Sequence, residues 1–210
     1  MAAFRGWCAA LAAVAAIGAG IATALPAPTG EPLAAVELRA PSVAELPPLR
    51  VAEDGPATGY EREAFGGGWA SAIGPGCDVR DVVLARDMSE TTVEDGCDVT
   101  AGTLRDPYSG ETTTGPSRVV DVDHVVPLSL AWRTGAATWP EGKREAFAND
   151  PANLRAVSAR DNRAKGDKGP EEWMPETGQC SYAHSFAAVA SRWELTVSRE
   201  RVHAIERACG

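Results

Sequence analysis

The sequence is short of positive charge, of histidine and of closely spaced cysteines. It has 20 Lys and Arg against 29 Asp and Glu, a net charge of −9 at pH 7, and only 3 His. This acidic balance argues against a protein that coats nucleic acid. No two cysteines have the spacing of a metal knuckle. The sequence therefore argues against a structural zinc site.

One long apolar run occurs, from Trp7 to Ala24, with the basic Arg5 before it and small residues at its end. This order is typical of a secretory signal peptide, which we predict over residues 1–25, with cleavage and secretion to the extracellular space. The run is also close to the lower length limit for a membrane span. An uncleaved N-terminal anchor, which would hold the protein at the extracellular face of a membrane, is the alternative.

The stretch from Pro26 to Pro56 contains seven prolines, several acids and no aromatic residue. Such a composition cannot bury enough apolar surface to fold alone. We therefore predict a Pro-rich acidic linker over residues 26–57. The folded domain is predicted over residues 58–210, beginning near Tyr60, and no internal repeat is visible.

Cleavage of the signal would remove Cys8 and leave an even number of cysteines, which in an exported protein predicts two disulfides. Four cysteines allow three pairings. We favour Cys77–Cys97 and Cys180–Cys209, because each pair closes a local loop. Each bond is expected to stabilise the fold by roughly 3 kcal/mol.

The patterns of the domain predict an α+β fold. Cys97–Leu104 and Arg118–Val126 are rich in Val and Thr and favour strands, and the turn composition of Asp106–Gly110 between them suggests a β-hairpin. Val79–Asp87 fits either a helix or a strand. Helices are predicted at 60–65, within 132–147, at 159–165 between the N-cap Ser158 and Gly166, at 179–193, and at 199–208 after Ser198.

The segment Asp121–Pro127 places two carboxylates and a histidine within four residues, at the end of an apolar strand. Asp123 offers a hard oxygen ligand for a cation, and His124 offers a base with a pKa near neutrality. Hydrolysis of a phosphodiester needs both. The stretch from Arg155 to Lys168 carries five basic residues against two acids. A small basic site on an acidic body suits an enzyme that contacts a few phosphates.

Two further polar residues follow at helical spacing. Asn162 and Lys165 are three residues apart in the predicted helix 159–165 and therefore share a face. One of them is suited to give an oxygen to a metal ion, and the other to meet a phosphate.

Together, the Asp-His-Val-Val-Pro run from Asp123, the pair Asn153-Leu154 and the Asn-x-x-Lys run from Asn162 resemble the His-Asn-His (HNH) endonuclease signature of the ββα-metal fold. The flanking residues are similar to an exported actinobacterial HNH family, related to the C-terminal nuclease domain of GmrSD-type restriction enzymes. The resemblance covers roughly Tyr60 to Cys209. It implies an HNH core of two strands and one helix, with flanking helices.

The resemblance also implies roles for the site residues. His124 corresponds to the general base, which deprotonates water. Asp123 and Asn162 correspond to the ligands of one divalent cation, for which their oxygens favour Mg²⁺, with Mn²⁺ as the alternative. Asp121 shares a strand face with Asp123 and is interpreted as either a structural residue or a further ligand.

The remaining matched positions concern the loop and the substrate. Asn153 corresponds to the middle Asn of the signature, which braces the loop holding the base. Lys165 and Arg163 are expected to contact phosphate, and Lys165 is counted with the catalytic residues for that reason.

We therefore predict a secreted HNH endonuclease that hydrolyses DNA phosphodiester bonds with little sequence preference. Its partner is expected to be the nucleic acid substrate alone, with RNA as the alternative to DNA and no stable protein partner. The alternative function is a non-catalytic binding module, exported or membrane-anchored, on an HNH-like fold.

Overall fold

Short strands and helices alternate through residues 46–74 and 76–210, which the computed structural model describes. The predicted α+β class is confirmed. The strands are β1 (Arg50–Val51), β2 (Ser71–Gly74), β3 (Cys77–Asp78), β4 (Met88–Glu94), β5 (Asp98–Arg105), β6 (Thr112–Pro116), β7 (Val120–His124), β8 (Leu154–Ser158) and β9 (Thr196–Val197). The α-helices are α1 (Val79–Asp87), α2 (Leu128–Arg133), α3 (Glu141–Ala148), α4 (Ala159–Lys165), α5 (Gln179–Arg192) and α6 (Arg199–Cys209). Within the described ranges, 3₁₀ turns lie at Arg62–Phe65, Ser117–Val119, Ala136–Thr138 and Pro151–Asn153.

The site region is built on an antiparallel pair of strands, β7 and β8, in register from Val120 opposite Ser158 to His124 opposite Leu154. Helix α4 follows β8 directly, because Ser158 Oγ accepts a hydrogen bond from the Asp161 amide and caps the helix. The helix then packs against both strands. This order of strand, strand and helix is the core that the HNH resemblance implies.

The predicted hairpin between Cys97–Leu104 and Arg118–Val126 is wrong. Strand β5 instead lies between β4 and β6 in a three-stranded antiparallel sheet. The 3₁₀ turn Ser117–Val119 takes the chain out of that sheet before β7 begins. Strand β7 then pairs with β8, a strand that the sequence patterns did not predict.

Side chains occupy the other edge of β8. Asp87 Oδ2 accepts a hydrogen bond from the Ala156 amide at 2.9 Å, and Asp106 Oδ2 accepts one from the Ser158 amide at 2.7 Å. Arg86 donates to the Leu154 carbonyl at 2.6 Å. The amides of Ala156 and Ser158 and the carbonyl of Leu154 thus have partners without a third strand.

Residues 79–87, which fit a helix or a strand by sequence, form helix α1. Asp78 and Asp81 make a reciprocal capping box at its N-terminus, which favours the helix. Val83 and Leu84 of this helix are fully buried in one hydrophobic cluster with Val99 and Leu104 of β5. The cluster holds the three-stranded sheet against the β7–β8 pair.

A second, larger cluster packs around helix α5, the helix that apolar spacing predicted at 179–193. Phe186 and Ala190 of α5 are buried there with Phe65, Leu130 and Phe147. The two predicted disulfides are also present. One joins Cys77 before α1 to Cys97 before β5, and the other joins the first turn of α5 to the end of α6.

The domain begins earlier than residue 58, where we predicted it. Strand β1 pairs in parallel with β9, and both carboxylate oxygens of Asp54 accept hydrogen bonds from Arg201, at 3.0 and 3.2 Å. Arg201 is 2% exposed and also binds Glu171. Residues 46–57 cannot form a core of their own, but they pack against the folded domain. They are therefore not a free linker.

The predicted signal peptide, residues 1–25, and the predicted linker before residue 46 lie outside the described residues. The described residues all fall in one compact unit. Within them, no helix combines the length and the apolar character needed to cross a membrane.

Candidate active site

Strand β7 carries the central residues of the candidate site. Because side chains alternate along a strand, Asp121 and Asp123 point to one face and His124 points to the other. Helix α4 covers the face of the two carboxylates. One cleft nevertheless reaches both faces, and it is lined by Asp123, His124, Asn162 and Arg163. The structure thus brings four of the predicted site residues together.

The imidazole of His124 is buried, and its hydrogen bond fixes the tautomer. Nε2 lies 2.8 Å from the carbonyl oxygen of Ala148, which can only accept, so Nε2 carries the proton and Nδ1 keeps its lone pair. The ring stacks on Trp69 at 5.9 Å between centroids. The pKa of His124 is lowered from 6.5 to about 4, mainly by burial; the Ala148 hydrogen bond opposes this shift, and the nearby charges of Arg62 and Lys165 add to it. The ring is therefore neutral at pH 7.

Both carboxylate oxygens of Asp123 have protein partners. Oδ1 accepts a hydrogen bond from Lys165 Nζ at 2.9 Å, and Oδ2 accepts one from the Tyr108 hydroxyl at 2.7 Å. Burial raises the pKa of Asp123, while Lys165 and Tyr108 oppose that shift. Burial and the charge of Asp123 raise the pKa of Tyr108 well above its usual value, so its hydroxyl remains a donor. The carboxylate is therefore held in one orientation.

Lys165 does not lie where the predicted phosphate contact requires it. Its side chain is 0% exposed, and Nζ donates both to Asp123 and to the carbonyl of His124, at 2.8 Å. The prediction rested on the helix face that Lys165 shares with Asn162. That face is turned towards β7 instead of solvent, so Lys165 is an internal counterion.

Asn162 leaves one oxygen available at the cleft. Its Nδ2 donates to Asp121 Oδ2 at 3.0 Å, whereas no donor among the described residues binds its Oδ1. Each oxygen of Asp123 also retains a lone pair beyond the hydrogen bond that it accepts. The donor set is therefore made of carboxylate and amide oxygens, which fits a hard divalent cation such as Mg²⁺ or Mn²⁺.

Asn153 fixes the loop that follows His124. Its side chain is fully buried, with Oδ1 accepting from the Val126 amide at 2.8 Å and Nδ2 donating to the Val126 carbonyl at 3.3 Å. The Asn153 carbonyl accepts a further bond from the Val125 amide at 2.8 Å. The two bonds between the Asn153 side chain and Val126 are of the side-chain to backbone kind that the resemblance implied for this position.

Several residues at the site gave no signal in the sequence. Tyr108 comes from the Asp106–Gly110 turn and Trp69 from the segment before β2, and both reach β7 through long-range packing. Tyr60 and Arg62 also line the cleft. The position of Phe65 in the core, in contact with Trp132 and Phe147, brings that turn to the site.

Comparison with known proteins gives two matches. The family model described as GmrSD restriction endonucleases, C-terminal domain, matches residues 78–207. An "Uncharacterized secreted protein" of Arthroderma benhamiae is 42% identical over 154 residues, which cover 71% of this chain and 74% of that protein. No solved structure matches the chain.

Proposed function

Because the chain belongs to the family of GmrSD restriction endonuclease C-terminal domains, we propose that it is a secreted, metal-dependent endonuclease that hydrolyses DNA phosphodiester bonds with little sequence preference. One observation carries the proposal. A neutral imidazole, that of His124, lines the same cleft as the oxygen donors of Asp123 and Asn162. Phosphodiester hydrolysis needs these two functions side by side.

His124 acts as the general base. Nδ1 takes a proton from a water molecule in the cleft, and the resulting hydroxide oxygen bonds to phosphorus as the bond to the leaving oxygen breaks. The imidazolium is stabilised by the Ala148 carbonyl, which accepts from Nε2. The low pKa of His124 describes the cleft without substrate. A phosphate beside the ring adds negative charge, which raises the pKa towards a value that suits a base at neutral pH.

Asp123 and Asn162 are the residues that would hold the cation. When bound, a divalent ion supplies positive charge that offsets the charge developing on the phosphate. Tyr108 and Lys165 keep the Asp123 carboxylate in place before any ligand arrives. Asn153 fixes the backbone after His124, so the base and the carboxylate keep their relative positions. Arg163, which is exposed at the cleft, is suited to contact the substrate backbone.

Supercoiled plasmid tests the activity directly. The purified chain is expected to nick plasmid with Mg²⁺ and to leave it intact with excess EDTA, and His124→Ala is expected to lose the activity. His203→Ala is the matched control, because His203 is exposed on α6 and pairs with Glu206. Plasmid that survives both Mg²⁺ and Mn²⁺, or cleavage by His124→Ala at the wild-type rate, would refute the proposal. Repeating the assay with RNA decides between the two substrates.

Secretion has its own test. The relative from A. benhamiae is named as secreted, and the N-terminal run of this chain has the order of a signal peptide. Protein recovered from the culture medium is expected to start near Leu25 or Pro28 on N-terminal sequencing. Protein that stays with the membrane fraction and starts at Met1 would support the anchored alternative.

A further inference from the structure

Arg62 stands beside the base, at the meeting point of two cavities. It belongs to the 3₁₀ turn Arg62–Phe65 and lines the cleft of Asp123 and Asn162. It also lines a smaller adjoining cavity, together with Trp69. His124 lines both cavities. A group bound in front of His124 would therefore meet the side chain of Arg62.

The guanidinium of Arg62 has no ion pair or hydrogen bond within the described part of the chain, and its side chain is exposed. Arg163 is in the same situation at the same cleft. Other arginines of this acidic protein bind carboxylates or backbone carbonyls, for example Arg80, Arg86, Arg133, Arg144, Arg160, Arg192 and Arg201. The five N–H donors of Arg62 are thus available to a ligand, and two parallel donors match the geometry of a phosphate.

The acids of the cleft do not neutralise Arg62. Asp123 is paired with Lys165 and bound by Tyr108, and Asp167, whose Oδ2 accepts a hydrogen bond from Ser129, forms no ion pair with Arg62 among the described residues. Neither carboxylate lies within ion-pair distance of the Arg62 guanidinium. A positive charge therefore faces the cleft at this point.

The turn that carries Arg62 is held rigidly. Phe65 is 1% exposed and packs against Phe147, with 6.2 Å between ring centroids. Arg144 Nε donates to the Ala64 carbonyl at 2.8 Å. The backbone of the turn is therefore fixed by the core, which limits the positions that the Arg62 side chain can take.

We propose that Arg62 is a substrate-binding residue whose guanidinium contacts a backbone phosphate of the nucleic acid in front of His124. It supplies, with Arg163, the contact that the buried Lys165 cannot make. This inference rests on the proposed function, because it takes a nucleic acid as the ligand of the cleft.

Binding measured without cleavage tests this role. Wild-type protein in excess EDTA is titrated into a fluorescein-labelled DNA duplex, and anisotropy is followed over a series of KCl concentrations. Arg62→Gln is expected to weaken binding about tenfold and to lower the slope of log K against log[salt] by about 0.9, the value of one lost phosphate contact. Arg62→Lys is expected to keep most of the slope, because it keeps the charge.

Arg118→Gln is the matched control. Arg118 is an exposed arginine of the turn Ser117–Val119 and does not line the cleft. Its removal is expected to leave the affinity and the slope at wild-type values. Urea denaturation checks the fold of both variants, whose midpoints are expected to equal that of the wild type.

The possible results separate the two proposals. Wild-type protein that binds no DNA or RNA at low salt, and that also leaves plasmid intact with Mg²⁺ and Mn²⁺, would overturn the proposed function and this inference together; wild-type protein that nicks plasmid but binds no nucleic acid in EDTA would overturn the inference alone. If wild-type protein binds and Arg62→Gln binds with the same affinity and the same salt slope, the inference alone is overturned. Equal losses for Arg62→Gln and Arg118→Gln would do the same, because they would reflect net charge and not a contact in the cleft.

Discussion

Lys165 Nζ lies 2.9 Å from Asp123 Oδ1, and both side chains are buried beside the candidate base. The same nitrogen binds the carbonyl of His124, so one lysine joins helix α4 to two consecutive residues of β7. Tyr108 holds the other oxygen of Asp123. The carboxylate that we propose as a metal ligand is thus fixed by contacts within the protein.

Replacement of Lys165 by Met should destabilise the protein by about 3–5 kcal/mol, because it leaves the Asp123 charge buried without its counterion. Urea denaturation measures this loss. Lys168→Met is the control, since Lys168 is exposed and its Nζ binds a backbone carbonyl, that of Ala164. Further replacement of Asp123 by Asn in the Lys165→Met background should recover part of the stability. Equal urea midpoints for wild type and Lys165→Met would contradict the role of the pair.

Asn153→Ala should impair both stability and cleavage. The substitution leaves the buried amide and carbonyl of Val126 without their partners, at a cost of about 2 kcal/mol. Because the loop after His124 then loosens, kcat should fall more than KM rises. Plasmid nicking at a temperature where circular dichroism shows a folded variant measures the effect. A folded variant with wild-type kcat would show that the loop does not need this brace.

The stability of the protein should fall as pH decreases from about 6.5 to about 4. The pKa of His124 is lowered to about 4 by burial, so between these values the unfolded chain binds a proton that the folded protein does not. Above pH 6.5 this group does not reduce the free energy of unfolding. Acidification to about pH 4 reduces the free energy of unfolding by roughly 3 kcal/mol. Urea denaturation of wild type and His124→Asn at pH 7 and pH 4.5 isolates the contribution of the imidazole. An equal decrease in stability between pH 7 and pH 4.5 in both proteins would show that groups other than His124 cause it.

Opening the Cys180–Cys209 disulfide should cost roughly 3 kcal/mol, since the bond closes a loop with a sequence separation of 29. The double variant Cys180→Ala with Cys209→Ala should therefore unfold at a lower urea concentration than wild type. Dithiothreitol should lower the midpoint of the wild-type protein further than that of this variant, which retains only Cys77–Cys97. A midpoint of wild type that dithiothreitol does not move would contradict a stabilising role for both bonds.

Asp54→Asn tests the docking of the segment before residue 58. Arg201 would keep Glu171 but lose one of its two carboxylates, which should destabilise the protein by about 2 kcal/mol. Glu53→Gln is the matched control, because Glu53 is the exposed neighbour. If the two variants have the same thermal midpoint, the ion pair with Asp54 adds nothing measurable to the fold.

Local signals in the sequence predicted local structure well. The serine caps of α4 and α6 and the apolar spacing of α5 are read within one segment, and those helices are present. The pairing of β7 with β8 depends on residues far apart in the chain, and no turn composition marks it. For the same reason the spacing of Asn162 and Lys165 predicted a shared face correctly but could not tell that this face is buried. The partners of Asp123 and His124 depend on the tertiary fold in the same way.

Arg86, Asp87 and Asp106 occupy one edge of β8, and this arrangement affects the tendency of the protein to associate with itself. An open strand edge is a template on which a second chain can add a strand, and repeated addition leads to aggregates. Here the amides of Ala156 and Ser158 are already bound by carboxylates, so an incoming strand would have to displace these charged side chains to pair with them. The two-stranded core can therefore stay small and still be protected from self-association on this side.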